Sequence, residues 1–143
     1  QENDDMNQPD QLELIETPLT CEELRRRWIA AFCPNLSASL KSPDYKPVLW
    51  VVFSSGRAPC LQGEEARAAF ENTPKKKLLA FYEYDGDEEN ALMMPDASHL
   101  TSKALADEND LYLMDEDAGW TYVATHEDGY GPYFCTAAQN GRL

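Results

Sequence analysis

Asp110-Leu111-Tyr112-Leu113-Met114, an acidic turn at 115–119, Trp120-Thr121-Tyr122-Val123-Ala124-Thr125-His126-Glu127 and then Gly131-Pro132-Tyr133-Phe134 form the stretch that decides the fold. Two apolar runs rich in aromatic and β-branched residues around a short polar turn read as a β-hairpin. Side chains alternate along a strand. Trp120, Tyr122 and Ala124 therefore share one face, and Thr121, Val123 and Thr125 the other. If the Val123 side is the core, Trp120 and Tyr122 line a platform beside Glu127, Tyr130 and Tyr133.

Upstream, Leu78-Leu79-Ala80-Phe81-Tyr82 is a second strong strand, and Ala91-Leu92-Met93-Met94 suits an antiparallel return. Val48-Leu49-Trp50-Val51-Val52-Phe53 is a continuous apolar run of the kind found in strands covered on both faces. Gly63 to Phe70 reads as a short helix with Glu64 and Glu65 in its first turn, as the helix dipole favours. Strand 48–53, this helix and strand 78–82 predict one βαβ unit with a right-handed crossover. Lys75-Lys76-Lys77 reads as a guard on the edge of the strand that follows.

Nearer the start, Thr20 and Glu23 have capping-box spacing. The helix they open places Leu24, Trp28, Ile29 and Phe32 on one face and ends at Pro34. Glu22 with Arg26 and Glu23 with Arg27 are i,i+4 pairs, so Arg25–Arg27 reads as a solvated helix face. Leu12, Leu14 and Ile15 suggest a short strand, residues 34–47 a loop, and Thr101 or Ser102 the cap of a short helix. Residues 1–10 are polar and acidic and are expected to be a disordered tail. Residues 11–143 are expected to form a single α+β domain. Its mixed β-sheet carries one βαβ unit and a C-terminal β-hairpin, with helices packed on the sheet.

A chain of 143 residues fits one domain. Its twelve basic and twenty-six acidic residues give a formal charge of −14. Such a surface repels phosphate backbones and anionic membranes and attracts basic proteins. No run approaches the roughly 18 apolar residues of a membrane span. The four cysteines, Cys21, Cys33, Cys60 and Cys135, form no C-x-x-C pair and are joined by only two histidines, which argues against a structural zinc site. Scattered thiols suit a reducing cytoplasm. The start at Gln1 leaves a mature exported chain open, in which two disulfides could pair in any of three ways.

Read together, several motifs carry a resemblance. They are Leu14-Ile15-Glu16 leading to Leu24-Arg25-Arg26-Arg27-Trp28, Leu49-Trp50 through Phe53-Ser54, Pro59-Cys60-Leu61-Gln62-Gly63-Glu64-Glu65-Ala66, Trp120-Thr121-Tyr122-Val123 with Thr125-His126-Glu127, and Gly131-Pro132-Tyr133-Phe134. The chain resembles a family of small uncharacterised bacterial proteins, common in Bacillus-type Gram-positive species and catalogued as a domain of unknown function. The resemblance covers about residues 12 to 135. It implies a small, single-domain, intracellular protein and carries no activity and no functional residues.

Two site hypotheses follow from the residues themselves. In the first, Cys60, just before a helix, is a nucleophile or redox thiol with His126 as its base. In the second, Trp120, Tyr122, Glu127, Tyr130 and Tyr133 form a binding surface, since Tyr and Trp dominate interface hot spots. Asp115, Glu116 and Asp117 resemble the start of a calcium loop, but Gly119, Trp120 and His126 stand where its fifth, sixth and twelfth positions need an acid or amide, a glycine and a glutamate. Phosphate-loop and nucleophile-elbow patterns are lacking from the sequence, and neither a metal nor a cofactor is expected. The residues favour a soluble acidic protein-binding module without catalytic activity, inhibitor-like or immunity-like, that meets a basic protein. The thiol-dependent enzyme or redox-responsive protein is the alternative.

Overall fold

The computed structural model describes residues 12–36, 49–125 and 131–137. The tail expected over 1–10 and most of the loop expected over 34–47 lie outside them.

Strand β1 (Ile15–Thr20) runs directly into helix α1 (Cys21–Phe32). Thr20 caps α1 as its sequence predicts. Its hydroxyl accepts from Glu23 N–H at 3.1 Å, and Glu23 Oε1 accepts from Thr20 N–H at 2.9 Å. After a short helix α2 (Val51–Ser54) come β2 (Leu61–Gln62), α3 (Glu64–Asn72), β3 (Leu78–Tyr82) and β4 (Asn90–Met94). A 3-10 turn at Ser102–Leu105 precedes β5 (Leu111–Asp115), β6 (Trp120–Ala124) and β7 (Tyr133–Thr136).

The seven strands form one sheet in the order β1-β4-β3-β5-β6-β7-β2, and every pairing is antiparallel. The predicted hairpin is β5–β6, with Leu111 opposite Ala124 and Leu113 opposite Tyr122. Alternation along these strands sends one set of side chains to each face, and both faces are covered. Phe81, Tyr112, Met114, Val123 and Tyr133 pack with α1 and α2. Ala80, Leu111, Leu113, Trp120, Tyr122 and Phe134 pack with Ala66 and Phe70 of α3 and with Leu105. Helices therefore pack on the sheet in a single α+β domain.

Two readings of the sequence need correction. The sheet is antiparallel rather than mixed, and of the run expected as a strand over 48–53 the described residues 49–53 supply no strand to a βαβ unit. Leu49 and Trp50 lie in a turn and Val51–Ser54 is helical. An apolar run of this length does not distinguish a strand from a buried helical turn. Here β3 already has β4 and β5 on its two sides, so no neighbouring ladder is open to the run. Leu49, Trp50, Val52 and Phe53 instead bury themselves beside α1. The crossover through α3 joins β2 to β3, which point the same way but have three strands between them.

Lys75–Lys77 lead into a central strand, not an edge. Lys75 is nearly buried; its ammonium donates to the carbonyls of Phe70 at 2.6 Å and Thr73 at 2.9 Å and lies 4.4 Å from the Phe70 ring centre. It thereby satisfies carbonyls that the end of α3 leaves open.

Candidate functional site

The antiparallel order gathers particular loops at one end of the sheet. β3 ends at Tyr82 opposite Leu111, the first residue of β5, and Leu111 in turn faces Ala124, the last residue of β6. The turn at 83–89, the approach to β5 at 106–110 and the start of β7 therefore share one end. The start of α1 joins them, since Cys21 N–H donates to Glu89 O and Glu22 N–H to Asp87 O. The start of α3 is there too, with Gly63 N–H donating to Pro132 O.

This end is rich in carboxylates. Glu22, Glu23, Glu64, Glu65, Asp87, Glu88, Glu89 and Asp107 are exposed, and Asp85 and Glu108 are half-buried. Three cations on the same elements are engaged. Arg25 meets Asp87 at 2.7 Å, Arg26 meets Glu22 at 2.8 Å and Arg67 meets Glu64 at 2.9 Å. Within the 83–89 turn, Tyr84 is 76% exposed, an uncommon position for a large aromatic.

Beneath the turn lies a second, buried layer. Trp50 donates its indole N–H to Asp110 at 2.8 Å and its backbone N–H to the Tyr112 hydroxyl at 2.9 Å. That hydroxyl donates to Glu83, which also accepts from Leu49 N–H at 3.0 Å. Burial pushes the Glu83 carboxyl above its ordinary range, against the pull of the Tyr112 hydroxyl, the Leu49 amide and the Arg25 guanidinium.

The structure separates the residues singled out from sequence. Trp120 and Tyr122 are 8% and 2% exposed, because their face of β6 lies under α3, where the Phe70 ring stands 4.4 Å from Tyr122 and 5.9 Å from Trp120. Tyr133 is fully buried on the opposite face, against Trp50 and Phe53. The aromatic platform expected from Trp120, Tyr122 and Tyr133 is therefore core, with α3 occupying the space a partner would need. Glu127, Tyr130 and His126 lie outside the described residues, so the proposed meeting of Cys60 with His126 lies outside them too.

Cys60 itself is half-buried ahead of β2, packed against the α1-side core. Burial pushes its thiol up to about 11. The cause is desolvation of the thiolate. Cys33 is pushed up to about 12 by burial and by the nearby Cys135.

The layer of Glu83, Asp110, Trp50 and Arg25 was not read from sequence. Its one signal is positional: Glu83 follows a strong strand and Asp110 precedes another, and the two become neighbours once β3 pairs antiparallel with β5. Among the described residues, no three His, Cys, Asp or Glu side chains group to hold a metal ion. No described helix is long and apolar enough to cross a membrane.

Against known proteins, a family model described as a domain of unknown function (DUF4275) matches residues 4–134. No curated protein and no solved structure matches the chain.

Proposed function

The chain belongs to the DUF4275 family, a domain of unknown function, and we propose that it is a non-catalytic binding module that docks a basic protein on the acidic end of its sheet. The observation that carries this reading is the gathering of the carboxylates of four separate segments at the end of the sheet that also carries exposed Tyr84. Complementary charge speeds encounter and fixes orientation, and an aromatic anchor supplies contact area at low entropic cost. A formal charge of −14 supports a protein rather than a nucleic acid or an anionic membrane as the partner. An inhibitor or immunity protein works by such occlusion, and that comparison is physical analogy. The free thiols of Cys21, Cys33 and Cys60 support a cytoplasmic setting. A Cys60 thiol held near 11 is a poor nucleophile at neutral pH, which counts against the thiol enzyme.

The test is affinity capture from a lysate of the source cell, with mass-spectrometric identification, at low and at moderate salt. The chain is compared with its Asp87→Lys/Glu88→Lys variant. The expected result is a basic protein held by the wild type at low salt and lost to both salt and charge reversal. A partner retained equally by the variant would sink the proposed face. Turnover of any substrate by the purified chain would sink the non-catalytic reading.

A further inference from the structure

Arg25 departs from the solvated helix face expected of residues 25–27. Its side chain is only 15% exposed. The guanidinium lies over the Phe81 ring, 5.4 Å from its centre. One nitrogen, Nη2, donates to the carbonyls of Tyr82 and Glu83 at 3.2 Å each and to the carbonyl of Asp85. The other, Nη1, donates to the carboxylate of Asp87 at 2.7 Å. A single side chain of α1 thus holds the 82–87 stretch at several points.

The start of α1 completes the hold. Cys21 N–H donates to Glu89 O at 2.8 Å and Glu22 N–H to Asp87 O at 3.1 Å. A helix start otherwise leaves such amides open. Within the turn, Asp85 N–H donates to Tyr82 O at 3.2 Å and Glu89 N–H to Gly86 O at 3.0 Å. Carbonyls along 82–89 therefore bond to α1, while Asp87, Glu88 and Glu89 stay exposed. Bonds from a charged donor are stronger than neutral ones, the more so where water is partly excluded. The planar fork of an arginine spans separated acceptors, which the point charge of a lysine does not.

We propose that Arg25 is a positioning residue: from α1 it sets the course of the 83–89 turn and so fixes where Asp87 and Glu88 stand for an incoming basic partner. The clamp itself stands on these bonds, and its use in docking rests on the acidic end being the binding face. Without the fork, the carbonyls it held turn to water, which opens the turn locally and leaves the core intact. The carboxylates then sample many positions, and a partner has to order them on binding, at a cost in affinity.

The variant Arg25→Lys keeps the net charge and removes the fork, so it separates position from charge. The first readout is amide exchange of the free chain. Cys21, Glu22, Asp85 and Glu89 should exchange about tenfold faster in the variant, with residues 28–32 and 120–124 unchanged. Unchanged exchange at the turn would overturn the proposal. So would an equal rise at every amide, the mark of a residue that serves stability alone. The second readout is binding of an oligolysine peptide at low salt, which the variant should hold several-fold more weakly. Equal binding by a loosened variant would overturn the positioning role. If neither chain holds the peptide, the acidic end is not the binding face, and the exchange result still decides the clamp. Should the variant not fold, the guanidinium of the wild-type chain decides: separate, slowly exchanging Nη1 and Nη2 proton signals support the clamp, and one averaged signal removes it.

Discussion

The bond between Trp28 and Thr121 ties α1 to the middle of the sheet and allows a quantitative prediction. Both residues are fully buried. The Trp28 indole donates to the Thr121 hydroxyl at 2.8 Å, and that hydroxyl donates to the Leu113 carbonyl at 2.6 Å. Replacing Thr121 by Val keeps the volume but leaves the indole N–H without its acceptor, at a cost of about 1–3 kcal/mol. Replacing Trp28 by Phe removes the donor and part of a ring packed edge-on against Tyr112 and Phe53. Bond and cavity together should cost about 2–4 kcal/mol. In the double variant the orphaned donor is gone, so the total should fall below the sum of the singles by about 1–2 kcal/mol. Urea unfolding at constant m-value reads all three costs. Additivity to within about 0.3 kcal/mol would mean that the bond does not form and that α1 sits differently on β6.

Other outcomes follow from the same contacts. With its thiol near 11 instead of an ordinary 9, Cys60 should carry about a hundredfold less thiolate at neutral pH; alkylation by iodoacetamide faster than that of free cysteine would restore the nucleophile reading. Ala118 sits at φ 57° in the β5–β6 turn, so Ala118→Gly should stabilise the chain by about 1 kcal/mol, seen as a rise in Tm of about 4 °C. A fall in Tm would show that the methyl's packing outweighs the strain. Thr20→Ala breaks the capping box and should cost about 1 kcal/mol by chemical denaturation; an unchanged midpoint would mean that solvent satisfies the start of α1 equally well.

Much of the framework was legible because local signals agreed. Thr20 and Glu23 announced the start of α1, and the alternation of 120–124 with 110–114 announced the hairpin. The 48–53 run misled because its strand-forming residues were decided by tertiary context: Trp50 finds its partners in Asp110 and Tyr112, sixty residues away. The Trp120–Tyr122 face was correctly recognised as one side of a strand. What covers that side depends on where α3 crosses the sheet, and no local pattern encodes this. Glu83 and Asp110 were invisible for a related reason, since register alone makes them neighbours.

Hydrogen exchange of the chain with and without its captured basic partner would test the central claim most directly. The account predicts protection at residues 83–89 and 106–110, with no change at the already buried 120–124 of β6. Protection that avoids the acidic end, or that falls on the Lys76–Lys77 end of β3 instead, would contradict it.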